Sequence, residues 1–153
     1  MLTTNRRTLI KQSIASFSFL LLGGLKNAFA EWDTELFQQS TADDLIARLS
    51  NNAKLKASDA IHIKAPEIAE NGAVVPVSVD ASIENVSNIS IIVDNNPSPL
   101  TSSFEINPQL EAYVSTRVKM AKSSNIIAIV TTTDNQYFTA SKSIKVTIGG
   151  CGG

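Results

Sequence analysis

The residues best suited to chemistry stand at the end of the chain. Gly149-Gly150-Cys151-Gly152-Gly153 holds the single cysteine of the 153-residue sequence, with paired glycines on both sides. Four residues without a Cβ leave the backbone little steric restriction. Fully extended, the stretch from Gly149 to Cys151 would reach roughly 10 Å, at about 3.3–3.6 Å per residue. The expectation is a thiol displayed on a swinging arm made of Gly149, Gly150, Gly152 and Gly153. With no bulk beside it, such a thiol could enter a narrow pocket on another protein.

Little in the neighbouring sequence activates this thiol. An ordinary cysteine titrates near 8.5, so only a few per cent is thiolate at neutral pH. No histidine is close by, Lys145 is the nearest cation, and the terminal carboxylate two residues on opposes ionisation. Nucleophilic cysteines of enzymes sit in electropositive sites. Cys151 therefore reads as a covalent handle that other proteins activate, not as the centre of an independent enzyme. Ordering the glycines costs about 1–2 kcal/mol per residue, which keeps each docking weak and reversible.

The elements that must hold this arm are mostly strands. Trp32 and Phe37 stand on a polar stretch and should pack onto the domain. Thr41 to Leu49 predicts a short helix: Thr41 caps it, Asp43 and Asp44 favour its positive end, and Leu45, Ile46 and Leu49 form the buried stripe. From about residue 60 the hydrophobic period becomes two. Ile61 and Ile63, then Val75, Val77 and Val79, then Ile89, Ile91 and Val93 each mark one face of a strand. Asn71-Gly72 marks a turn, and Pro76 points to an edge or bulge. Leu110, Ala112, Val114, Thr116, Val118 and Met120 should share an inward face. Ile126 to Val130 reads as a central strand, and Ile144, Val146 and Ile148 should point inward on the last one, with Lys145 and Thr147 outward. About seven strands with frequent turns predict an all-β, immunoglobulin-like antiparallel sandwich. The expected organisation is an export signal over 1–30, a helical segment over 31–52, the sandwich over 53–148 and the arm over 149–153.

The leader has its own logic. Arg6, Arg7 and Lys11 precede an apolar run from Ile14 to Leu22, which is too short to span a bilayer, and Ala28-Phe29-Ala30 has the form of a cleavage site. Paired arginines point to twin-arginine export, with a Sec signal as the alternative. Cleavage after Ala30 would leave 123 residues with 9 basic against 14 acidic side chains, a net charge of −5. That balance argues against nucleic acid as a partner, and no membrane attachment is expected after cleavage. A single cysteine forms no internal disulfide, so it is either a reactive thiol or a crosslink between chains.

Other chemistry finds no support. His62, the only histidine, falls between Ile61 and Ile63 and should face away from their side. No HExxH, CxxC, calcium-loop, Walker A or GxGxxG pattern is present.

The ending Val146 to Gly153, the stretch Ile63 to Val77, the leader and the late strand pattern resemble the SoxY family of bacterial sulfur carriers. The resemblance implies a periplasmic carrier with no cofactor beyond sulfur bound covalently to Cys151 as thiosulfonate or persulfide. It implies SoxZ as heterodimer partner. The transient partners implied are the c-type cytochrome complex SoxAX, the hydrolase SoxB and, where present, the sulfane dehydrogenase SoxCD. Two other classes fit parts of the sequence. One is an exported binding module whose cysteine crosslinks dimers. The other is a ubiquitin-like carrier using a Gly152-Gly153 thiocarboxylate, against which export and the unbroken run of strands both argue.

Overall fold

The helix is fixed by its own ends. A computed structural model describes Phe37 and residues 41–150, and α1 spans Ala42–Leu49. The Thr41 hydroxyl accepts the Asp44 N–H at 3.2 Å and donates to the Asp44 carboxylate at 2.6 Å. This satisfies one of the free donors that every helix start exposes. Asn51 and Asn52 close the helix with φ of 50° and 59°, a left-handed conformation that asparagine tolerates. Leu45 is 1% exposed and packs with Ile92, Leu100 and Ile129, and Phe37, Ile46 and Leu49 join that cluster. Phe37 thus packs onto the domain as expected; Trp32 lies outside the described residues, as do the export signal and Cys151, Gly152 and Gly153.

Nine strands follow: β1 Lys56–Ala57, β2 Ile61–Lys64, β3 Ile68–Asn71, β4 Val75–Ala81, β5 Val86–Val93, β6 Leu100–Glu105, β7 Tyr113–Val118, β8 Ser124–Thr132 and β9 Tyr137–Ile148. They form a six-stranded sheet of order β1-β9-β8-β5-β6, with β3 also on β9, and a three-stranded sheet of order β2-β4-β7. The sandwich core lies between them and contains Val75, Val77, Val79, Ile89, Ile91, Ile126, Ala128 and Ile144. β5 and β8 bury both faces, because Ile92 and Ile129 turn outward under α1 while Ile89, Ile91 and Val130 turn inward. That is why their sequences are apolar without alternation.

The all-β sandwich agrees with the sequence, as does the local edge position of Pro76, and three details differ from it. Two short strands, β1 and β3, bring the number of described strands to nine, and both pair with β9 in parallel, not antiparallel. Pro76 lies on β4, the middle strand of its sheet. However, β2 extends only to the Lys64↔Ser78 pair, so the chain at Pro76 is locally an edge and no ladder bond is lost. Leu110 is 69% exposed, since the Leu110 N–H turns back onto the Asn107 carbonyl and β7 starts only at Tyr113. Ile148 is 67% exposed, because β8 stops pairing at Ser124↔Ile144 and leaves the end of β9 beyond the core.

Two outcomes test this packing. Leu45→Ala should lower the unfolding free energy by roughly 2–5 kcal/mol in urea titrations, the usual cost of a buried leucine truncation. Asp134 accepts hydrogen bonds from the Thr132 hydroxyl and, at 2.6 Å, from the Gln136 amide, and these hold its carboxyl below the ordinary range. A lowered carboxyl stabilises the fold above its unfolded pKa and loses that effect as pH falls through the folded value. The difference in melting temperature between the protein and Asp134→Asn should therefore be steady above about pH 4 and shrink below it.

Candidate functional site

The root of the arm is the end of β9. The last residues of this twelve-residue strand pair in parallel with β3, placing Ala69 opposite Val146 and Asn71 opposite Ile148. Beyond that pair, three backbones cross. The Gly72 N–H donates to the Ile148 carbonyl at 2.8 Å, the Met120 N–H to the Gly72 carbonyl at 2.7 Å, and the Gly150 N–H to the Met120 carbonyl at 3.0 Å. Each strand runs into this crossing for a local reason. Gly72 is the turn between β3 and β4, Met120 follows the end of β7, and Gly149-Gly150 follows β9.

Side chains are excluded from this crossing. A Cβ on Gly72 would sit 2.2 Å from the Met120 carbonyl oxygen and 2.7 Å from the Gly150 nitrogen. One on Gly149 would sit 2.2 Å from the Ala121 carbonyl oxygen, and one on Gly150 would sit 2.7 Å from the Gly72 carbonyl oxygen. No described glycine has positive φ, so close approach is what these positions require, not an unusual conformation. Side chains then pin the strands that cross. Asn96 donates to the Lys119 carbonyl at 2.7 Å and accepts the Ala121 N–H at 2.9 Å. Asn71 accepts the Ala73 N–H at 2.8 Å, and Ser123 accepts the Val146 N–H at 2.9 Å.

This alters the expected arm. The sequence predicts Gly149 and Gly150 as part of a swinging arm, but Gly150 is buried and hydrogen-bonded in the structure, and Gly149 lies hard against Ala121. The physical reason is that the missing Cβ permits freedom only where nothing is near, and here the Gly72-Ala73 and Met120-Ala121 segments are. Cys151, Gly152 and Gly153 follow the clamp in sequence and lie outside the described residues, as do Arg6, Arg7, Ala28 and Ala30 of the leader. Gly72 and the Met120-Ala121 pair were not recognised as part of the site. Asn71-Gly72 signals a turn, yet nothing local says that Gly150 rests against it.

The surroundings suit contact with other molecules. Val74 and Ile148 are 57% and 67% exposed near the clamp. A groove of about 400 Å³ opens beside Gly150, lined by Pro97, Leu100, Arg117 and Lys119 among others. His62 takes no part: it is exposed on β2 opposite Asp80, about 17 Å along β4 from Val75 at 3.3–3.4 Å per residue. Among the described residues, no group of three or more His, Cys, Asp or Glu could hold a metal, and no helix is long and apolar enough to cross a membrane.

With this geometry in hand, the comparisons are specific. The sequence pattern of the family described as sulfur oxidation protein SoxY matches residues 46–151. The chain is similar to the solved sulfur carrier protein SoxY from Chlorobium limicola f thiosulfatophilum, at 44% identity over 69% of this chain and 96% of that one, with a TM-score of 0.63. It is also similar to superoxide reductase (neelaredoxin) from Ignicoccus hospitalis, at 20% identity over 76% of this chain and 99% of that one, with a TM-score of 0.51. That second likeness shows a common fold alone. No curated protein sequence matches.

The pinning by Asn96 is open to test. Asn96→Ala removes both of its hydrogen bonds at Lys119 and Ala121, and each is worth about 0.5–1.5 kcal/mol. A fall in stability of that order in chemical denaturation, with circular dichroism unchanged, is the expected outcome.

Proposed function

Because the chain belongs to the SoxY family of sulfur oxidation proteins, we propose that it carries sulfur intermediates of thiosulfate oxidation on the thiol of Cys151 and presents them to partner enzymes. The observation that carries this reading is where the family match ends: residue 151 is the single cysteine. In this reading the protein is exported through the Arg6-Arg7 leader, cleaved after Ala30 and works in the periplasm. It catalyses nothing by itself and holds no cofactor beyond the sulfur it carries.

The chemistry balances as follows. The Cys151 thiol and thiosulfate form an S–S bond to give a cysteinyl thiosulfonate, releasing one proton and two electrons. A c-type cytochrome complex of the SoxAX kind takes the electrons. Water then attacks the terminal sulfone on a SoxB-type hydrolase, breaking its bond to the sulfane sulfur. Sulfate leaves and a persulfide remains on Cys151. A SoxCD-type dehydrogenase oxidises the outer sulfur of the persulfide to a sulfonate, taking its oxygens from three waters and passing on six electrons. A second SoxB-type hydrolysis then releases sulfate and regenerates the thiol. Alternatively, an acceptor thiol takes the outer sulfur as its own persulfide and leaves the Cys151 thiol. A SoxZ-type partner completes the carrier as a heterodimer.

Two features of the arm root support this scheme. Arg117 and Lys119 bring positive charge beside Gly150, where an anionic thiosulfonate would be attached one residue away. Exposed Val74 and Ile148 offer apolar contact to successive partners without requiring a permanent interface. In cells, replacement of the protein by Cys151→Ser should reduce thiosulfate-dependent cytochrome c reduction by periplasmic extract to the background without thiosulfate. Added wild-type protein should restore it. Undiminished reduction with Cys151→Ser would contradict the carrier assignment.

A further inference from the structure

We infer that Gly72 is a positioning residue for the carrier thiol. Its backbone, 79 positions before Cys151 in the sequence, fixes where the arm leaves the domain. This rests on the carrier reading and adds to it a residue outside the terminal motif. The coupling is short and continuous. The Gly72 N–H holds the Ile148 carbonyl, the Gly72 carbonyl holds the Met120 N–H, and the Met120 carbonyl holds the Gly150 N–H, at 2.8, 2.7 and 3.0 Å respectively. The Gly72 carbonyl and the Ala73 backbone also form the surface against which Gly150 is buried.

Cys151 is one peptide unit beyond this contact, and consecutive Cα atoms across a trans peptide stand about 3.8 Å apart. The Gly150 anchor therefore fixes the backbone point from which Cys151 follows. If the clamp opens, the pivot retreats to Ile148, where the Asn71↔Ile148 pair still holds the strand. The reach of the thiol then grows by two residues, about 7 Å when extended. Opening of the clamp would thus lengthen the free tether that precedes Cys151.

Any side chain at Gly72 collides with backbone on two sides, at Met120 and at Gly150. Backbone cannot swing aside as a flexible side chain would. The larger overlap, 2.2 Å at the Met120 carbonyl oxygen, displaces the acceptor of the Gly150 N–H, and the smaller one, 2.7 Å at the Gly150 nitrogen, pushes Gly150 itself away, so both act to release Gly150. Gly72→Ala should therefore free Gly150 while the sandwich persists. Gly150→Ala makes the same collision from the arm's side, against the Gly72 carbonyl and Ala73, and is the second variant should Gly72→Ala fail to fold.

The experiment uses the mature chain, with amide hydrogen exchange at Gly150 and a nitroxide on Cys151 paired with a second label at Ser141→Cys, an exposed site on β9. In the otherwise wild-type protein the Gly150 amide should exchange about 100-fold more slowly than in an unstructured chain, and in either glycine variant less than about tenfold more slowly. The distance distribution between the labels should broaden about twofold in both variants. A glycine with only a structural role would lower the melting temperature and leave that distribution in place. Unprotected Gly150 in the wild type, or an unchanged distribution in folded variants, would overturn the inference. Absence of any thiosulfate-derived adduct on wild-type Cys151 would overturn the carrier reading and the positioning role with it, while the exchange data would still report the clamp itself.

Discussion

Three backbones meet where no Cβ fits, and the rest of the molecule is arranged around that meeting. Gly72 joins β3 of the large sheet to β4 of the small one, Met120 follows β7 of the small sheet, and Gly149-Gly150 follows β9 of the large one. The crossing therefore ties both sheets together at one end of the sandwich. Its hydrogen bonds each contribute only about 0.5–1.5 kcal/mol net. Their importance is geometric: the contact distances leave no space for even a methyl group. The core of Val, Ile and Met side chains supplies the bulk of the stability, and the crossing decides where the terminus emerges.

This bears on how a carrier works. A thiol that must visit several active sites needs freedom, but a thiol on a long free tether is diluted over a large volume and collides with anything nearby. Anchoring through Gly150 shortens the tether without adding a side chain that would obstruct entry to a narrow pocket. The anchor is a single N–H bond plus packing, weak enough to be exchanged for contacts to a partner. Exposed Val74 and Ile148 beside it are placed to supply such contacts.

Much of the fold could be read from the sequence because its signals are local. Thr41, Asp43 and Asp44 announce α1 within one turn, and the alternation in Val75, Val77 and Val79 declares the inward face of β4 directly. The uninterrupted run Ile126 to Val130 correctly indicates a strand covered on both sides. Where reading failed, the missing information was long-range. Alternation continues through Ile148 and Leu110, but a period cannot reveal where the opposite sheet ends, and both residues stand in solvent. Parallel pairing of β3 with β9 joins segments 77 positions apart, from Ile68 to Lys145, and no turn motif encodes it. Gly149 and Gly150 are ambiguous in the sequence for the same reason, since lack of a Cβ serves equally for mobility and for close contact. Cys151 stands out in the sequence as a motif and lies outside the described residues; Gly72 is illegible there, because its contacts exist only in three dimensions.

The central claim is that Cys151 holds sulfur covalently, and intact-mass spectrometry tests it most directly. The protein would be isolated from its native cells with and without thiosulfate, analysed whole and as peptides, then treated with reductant. The account predicts thiosulfate-dependent mass additions of sulfur and of thiosulfonate that map to the peptide ending Gly149-Gly150-Cys151-Gly152-Gly153 and vanish on reduction. A bare thiol or a simple disulfide dimer under every condition would contradict it.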